Sequence, residues 1–187
     1  MGGTTMKKLS IWLTAILMAV GLGLLVPGPA SATTSYCGLV WGSTAKAAGD
    51  LSAASITKVR TGQHYCFDRM VVDLNGKLDG YNVRYVAQVT QDGSGFPVPV
   101  RGGARLQVIV KAPSYDDAGN ATFNLGNKTE LSNVAGYQTF RQVVYAGSFE
   151  GQTTLGVGVR ARLPFRVFTL DGPGSGSRLV LDVAHFW

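Results

Sequence analysis

From Ile56 to Trp187 the sequence is a succession of short runs rich in Val, Tyr, Phe and Thr, cut at close intervals by Gly, Asp, Asn and Pro, and helical periodicity is almost absent. β-Branched and aromatic side chains suit a pleated, half-buried surface, and the breakers between the runs supply turns. The pattern predicts an all-β domain with strands over 56–60, 65–74, 81–89, 104–112, 139–146, 153–160, 165–170 and 178–184. Between the second and third, NGKLDG carries an Asn-Gly turn signal. The stretch QDGSGFPVPVRGG over 91–103 reads as an ordered loop, because Pro97 and Pro99 lack the amide hydrogen that a ladder needs. A second loop, over 113–137, is long enough to suggest binding or motion unless a short helix or hairpin lies inside it. Its Asn-x-Thr triplets, beginning at Asn120 and Asn127, match glycosylation acceptors formally, are common by chance and are given no role.

The first 32 residues have the form of an address. Lys7 and Lys8 precede an uncharged run over 11–26, Pro27, Gly28 and Pro29 break it, and Ala30, Ser31 and Ala32 supply the small residues of a signal-peptidase site. The mature chain is expected to begin near Thr33, with no stable membrane span after cleavage and a secreted or wall-associated location. The alternative is an uncleaved anchor, for which the run falls short of the roughly 20 residues that a spanning helix needs. Export would place Cys37 and Cys66 in oxidising surroundings, so one disulfide is expected. A reactive thiol pair is the alternative, without a C-x-x-C spacing or a cationic cluster in its favour.

Two of the 17 basic residues, Lys7 and Lys8, lie in the leader, which leaves 15 against 11 acidic and a net charge of +4. These charges are spread singly, so a nucleic-acid partner finds little support, whereas an anionic wall or membrane surface is compatible. The organisation expected is a leader over 1–32, an arm over 33–55 held by the disulfide, and one domain over 56–187.

One strand is written twice, as DRMVVDL at 68–74 and SRLVLDV at 177–183. Successive strand side chains alternate faces, so Met70, Val72, Leu74 and Leu179, Leu181, Val183 form apolar faces, while Arg69, Asp73 and Arg178, Asp182 lie opposite. Antiparallel pairing of the two copies would set Arg69 against Asp182 and Asp73 against Arg178, giving two cross-strand ion pairs.

These strands, together with HYCFDRMVVDLNG, GYNVRYV, DGSGFPVPVRGGARLQVIVKAP and GSFEGQTTLGVGVRARLPFRVFTL, are similar to the AMIN-like domain of secreted actinobacterial proteins over about 56–187. More distantly, they resemble AMIN domains of cell-wall amidases and secretins. The resemblance implies a two-sheet antiparallel β-sandwich, an extracytoplasmic location and a part in holding proteins to the cell envelope, but no reaction; in the amidases a separate domain does the chemistry.

No reaction centre emerges from the residues themselves. His64 and His185 offer no metal-ligand spacing, no G-x-S-x-G elbow is present, and no cofactor is expected. Glu150, between Gly147 and Gly151, is the acid that could contact a ligand. Arg160, Arg162 and Arg166 recur at even spacing and would share a face if Pro164 leaves the strand unbroken; guanidinium forks suit carboxylates and phosphates. Tyr81, Tyr85, Phe149 and Phe168 could add rings for sugar stacking. The reading is a non-catalytic envelope-binding module for a cell-wall glycan or anionic polymer. The alternative is a secreted protein-protein module, an adaptor or inhibitor, using the 113–137 loop.

Overall fold

The computed structural model describes residues 36–187; the leader expected over 1–32 lies outside the described residues. Strands form wherever the alternating runs predict them. In chain order they are β1 (Lys46–Ala48), β2 (Ile56–Gln63), β3 (Phe67–Leu74), β4 (Tyr81–Val86), β5 (Val89–Thr90), β6 (Pro97–Val98), β7 (Ala104–Val110), β8 (Phe140–Phe149), β9 (Gln152–Val159), β10 (Phe165–Asp171) and β11 (Ser177–Ala184). A four-stranded antiparallel sheet has the order β10-β11-β3-β2, and a five-stranded one the order β1-β4-β7-β9-β8. Met70, Val72, Leu179 and Leu181 from the first meet Leu106, Val108, Leu155 and Val157 from the second in one buried core, which makes the fold a two-sheet antiparallel β-sandwich. Each such side chain contributes about 1.5–3 kcal/mol by leaving water. The core draws on residues from Ala54 to Val183, all within the compact unit Ser35–Trp187.

Three differences from the sequence expectation have local causes. The strand expected over 81–89 stops at Val86 and resumes at Val89, where β5 pairs with β6. Pro97 is tolerated in β6 because this two-residue ribbon asks for no continuous ladder. The arm is not wholly irregular, since Lys46–Ala48 adds β1 to the edge beside β4. The 113–137 loop contains neither a helix nor a hairpin, only an isolated bridge between Tyr115 and Ala121.

Segments outside the main strands cover three sides of the sandwich. The 91–103 segment lies on the outer face of the five-stranded sheet, where Val89, Val100, Val144 and Ala146 form a second buried cluster. Gly158 permits this approach, for a Cβ there would stand 1.8 Å from the Arg101 carbonyl oxygen. The 113–137 loop spans the open side between β2 and β8: Thr122 Oγ1 donates to the Ile56 carbonyl and the Leu131 amide to the Val143 carbonyl. Its Phe123, Leu131, Val134 and Tyr137 pack on the core, so its bulky side chains serve as a seal. The arm closes the opposite side, with Gly42 bridged to Phe165 in one sheet and β1 paired in the other. The outer face of the four-stranded sheet is left without a cover of this kind.

Candidate functional site

On that open face the strand register stacks side chains in rows. Arg166, Asp182 and Arg69 form the first, Phe168, Val180, Val71 and Arg60 the second, and Leu170, Arg178, Asp73 and Lys58 the third. The doubled strand is therefore a pair of neighbours in which Arg69 faces Asp182 and Arg178 faces Asp73.

Only the first of these facing pairs is an ion pair. Arg69 Nε donates to Asp182 Oδ1 at 2.6 Å and its Nη2 to Oδ2 at 2.8 Å, while Arg166 Nε reaches Oδ2 at 2.8 Å from the other side. Asp182 is fully buried between the two guanidiniums, and about a quarter of each arginine side chain remains exposed. Asp73 is taken by Arg60 on β2, with Nε to Oδ2 at 2.7 Å and Nη2 to Oδ1 at 2.9 Å. That hydrogen bonding holds the Arg60 guanidinium above its ordinary pKa. Arg178 turns instead to the Asp171 carbonyl oxygen at 2.8 Å.

Aromatic rings support the cations. The Arg166 guanidinium lies 5.1 Å from the Phe168 centroid and 5.4 Å from that of Trp41, and Arg69 lies 5.1 Å from that of Phe67. Such contacts are worth about 0.5–1 kcal/mol each when exposed. His64 stacks on Phe67, with ring centroids 4.6 Å apart. A cleft of about 220 Å³ opens on the face, walled by Arg60, His64, Arg69 and Arg178 over a floor of Val71 and Val180. Four arginines and Lys58 thus meet two carboxylates, of which Asp182 is inaccessible. The arrangement is suited to holding an anionic group through guanidinium donors over an apolar floor.

The arginines singled out by even spacing do not share a strand face. β9 ends at Val159 and β10 begins at Phe165, so Pro164 lies in a break between two sheets. Arg166 belongs to the open face. Arg160 donates to the His185 carbonyl oxygen and Arg162 to that of Ser43, both at one end of the sandwich. Glu150 is in the β8–β9 turn, at the opposite end of β9 from Arg160 and separated from it by about 30 Å of extended strand. Among the proposed stacking rings, Phe168 is on the open face, whereas Tyr81 and Tyr85 pack against the core and Phe149 lies beside the β8–β9 turn.

The histidines have separate surroundings. His185 is buried, with Nε2 3.2 Å from Asp68 Oδ1, and Asp68 Oδ2 accepts the Thr139 and Phe140 amides at 2.6 and 2.9 Å. Asp68 thereby ties the two sheets together and is remote in role from any surface chemistry. Among the described residues no group of three or more His, Cys, Asp and Glu could hold a metal, and no helix is long and apolar enough to cross a membrane. Cys37 and Cys66 form the disulfide.

Sequence reasoning missed Arg60, His64, Phe67 and Trp41 as members of the face. Lys58 and Arg60 alternating around Val59 was the available signal for β2; Trp41 had none, since it arrives from the arm. A family model described as AMIN-like domain matches residues 54–185. No curated protein and no solved structure matches.

Proposed function

The chain belongs to the AMIN-like domain family, and from that premise we propose that it is a secreted, non-catalytic binding module of the cell envelope whose ligand is an anionic wall polymer. The observation that carries this reading is the open face of the four-stranded sheet, where Arg60, Arg69 and Arg178 line a cleft with an apolar floor and Arg166 stands beside Arg69 in the first row. Rows on a strand repeat at about 6.6–6.8 Å, so a linear polymer with an anionic group in each repeat can meet successive arginines as it runs along the strands. Phe168 and His64 offer flat surfaces beside the charges for a sugar ring.

The test is sedimentation of the chain over 33–187 with insoluble cell wall at low and high salt, before and after the wall's phosphate polymers are stripped with acid. Bound protein should fall with salt and with stripping, and Arg60→Gln with Arg178→Gln should weaken binding about tenfold, the effect of losing one exposed and one half-buried cation from one focused patch. Protein that stays in the supernatant at low salt, or binds equally after both substitutions, would sink the proposal.

A further inference from the structure

The end of the sandwich that receives both termini of the described chain has a different character from the arginine face. Four large apolar side chains are exposed there: Val40 at 89%, Tyr65 at 93%, Phe186 at 56% and Trp187 at 71%. Local bonds draw them together. The Cys37–Cys66 disulfide joins the segment carrying Val40 to the one carrying Tyr65, and the His185 amide donates to the Cys66 carbonyl, bringing in the C-terminus. Tyr36 meets Phe186 edge to face at 5.9 Å. A soluble domain rarely leaves such rings in water without a partner for them.

The partner's chemistry follows from the groups around the rings. Arg160 lies under Phe186 at 5.6 Å and is an exposed cation beside the rings. Trp187 Nε1 donates to the Arg162 carbonyl oxygen at 3.1 Å, and the exposed Arg162 guanidinium, turned to the Ser43 carbonyl oxygen and the Tyr85 ring, is a second cation at the same end. The carboxylates that β3 and β11 bring toward this end, Asp68 and Asp182, are fully buried and already bonded. Rings with polar edges beside arginines match the headgroup region of an anionic bilayer, where Trp and Tyr settle at the boundary and cations meet lipid phosphate. The sequence supplies a second reason: nine residues separate Tyr36 from the uncharged run over 11–26. Extended chain of that length spans about 30 Å, so a bilayer holding the run, before cleavage or in place of it, is within reach of this end.

We propose that the Tyr65–Phe186–Trp187 end, flanked by Arg160 and Arg162, docks the domain on the surface of an anionic lipid bilayer. Arg60 and Arg178 lie one and two rows further along the strands than Arg69 and Arg166, so the domain can rest on the membrane while that part of the arginine face remains available to the wall. Docking is interfacial and reversible, driven by ring insertion and by attraction of the two arginines to lipid phosphate.

Vesicle co-sedimentation of the chain over 33–187, which contains the whole core, tests this. Phosphatidylcholine vesicles doped with phosphatidylglycerol should bind the protein and shift its tryptophan emission to the blue; undoped vesicles should bind it about tenfold less. Tyr65→Ser with Trp187→Ser, at positions too exposed to matter for folding and checked by an unchanged melting curve, should lower binding to doped vesicles by about tenfold or more. Arg60→Gln with Arg178→Gln should leave vesicle binding intact while weakening wall binding, which separates the two surfaces. Absence of binding to doped vesicles at low salt overturns the proposal, as does binding that survives the aromatic substitutions. A concentration-dependent dimer that those substitutions abolish, without lipid binding, would assign the end to a second copy of the chain and overturn it equally.

Discussion

Glu150 occupies a backbone position that its side chain does not favour. It and Gly151 form the two-residue tip between β8 and β9, with φ of 46° and 79°. A tip of this form matches strand twist, but it asks for residues at ease with positive φ, chiefly Asn followed by Gly. The side chain is exposed, so no contact compensates for the backbone. Glu150→Asn should therefore raise the unfolding free energy by about 0.5–1 kcal/mol, read from the urea midpoint at unchanged m. An equal or lower midpoint would mean that the carboxylate does something there that the fold alone does not explain. At this scale the sequence was legible where a strict period spoke. The repeat placed Arg69 opposite Asp182, but it also suggested a pair between Asp73 and Arg178, and Asp73 is held by Arg60. Which of two guanidiniums captures a carboxylate depends on reach across neighbouring strands, and no pattern within one strand records that.

Elements were legible to the same extent as their alternation. β3, β9, β10 and β11 lie within two residues of expectation because inward and outward positions differ sharply in polarity. The covering loops were not, because the reason they lie flat is an absence: Gly156 and Gly158 remove side chains from the outer face of β9 so that Val100 and Arg101 can approach. The break at Pro164 separated Arg160 and Arg162 from Arg166, and it is stabilised from β4. Tyr85 donates to the Leu163 carbonyl oxygen at 2.7 Å and accepts from its amide at 3.0 Å, while Arg162 stacks on the ring at 4.8 Å. Burial pushes the Tyr85 phenol up to about 12, against the opposing influence of the Leu163 hydrogen bond and the Arg162 charge. An unfolded tyrosine ionises near about 10, so the folded state holds this proton more tightly. The resulting stability is fully present below about pH 10 and is lost as pH rises toward about 12. Tyr85→Phe should lower stability at neutral pH through the lost hydrogen bonds and flatten the decline over that alkaline interval. Parallel decline of the two proteins in alkaline urea titrations would place the ionisation elsewhere.

For the whole molecule, closure depends on a short arm that a sheet-by-sheet reading leaves out. The arm is anchored from β1 onward, where the Ser52 amide donates to the Lys111 carbonyl, Ser52 Oγ accepts the Asp79 amide and Ala54 enters the core. Its first part, 36–45, has a single backbone bridge to a sheet, at Gly42, too little to hold it against its own chain entropy. What fixes it is the Cys37–Cys66 bond across a separation of 29 residues, reinforced where Trp41 Nε1 donates to the Tyr36 carbonyl oxygen at 2.7 Å and where Lys46 lies over Phe165 at 4.2 Å. Closing a loop of this length in the unfolded chain accounts for about 3–4 kcal/mol of stability. The cross-link also begins β3 and, through Cys66, holds the amide of His185, so its loss should reach beyond the arm to the aromatic end. Cys37→Ser with Cys66→Ser should lower the unfolding free energy by about 3 kcal/mol, with a slightly larger m as the unfolded chain expands. Hydrogen exchange should distinguish where that loss is felt. The amides of β1 and of the β10 edge should open well before global unfolding, while those of β3 and β11, paired on both sides, continue to report the global value. If instead all strands exchange together in the variant, the arm is part of the cooperative core and its closure does not depend on the disulfide. If β1 remains protected and stability barely falls, the contacts of Trp41 and Lys46 are sufficient, and the cross-link serves the exposed end more than the fold.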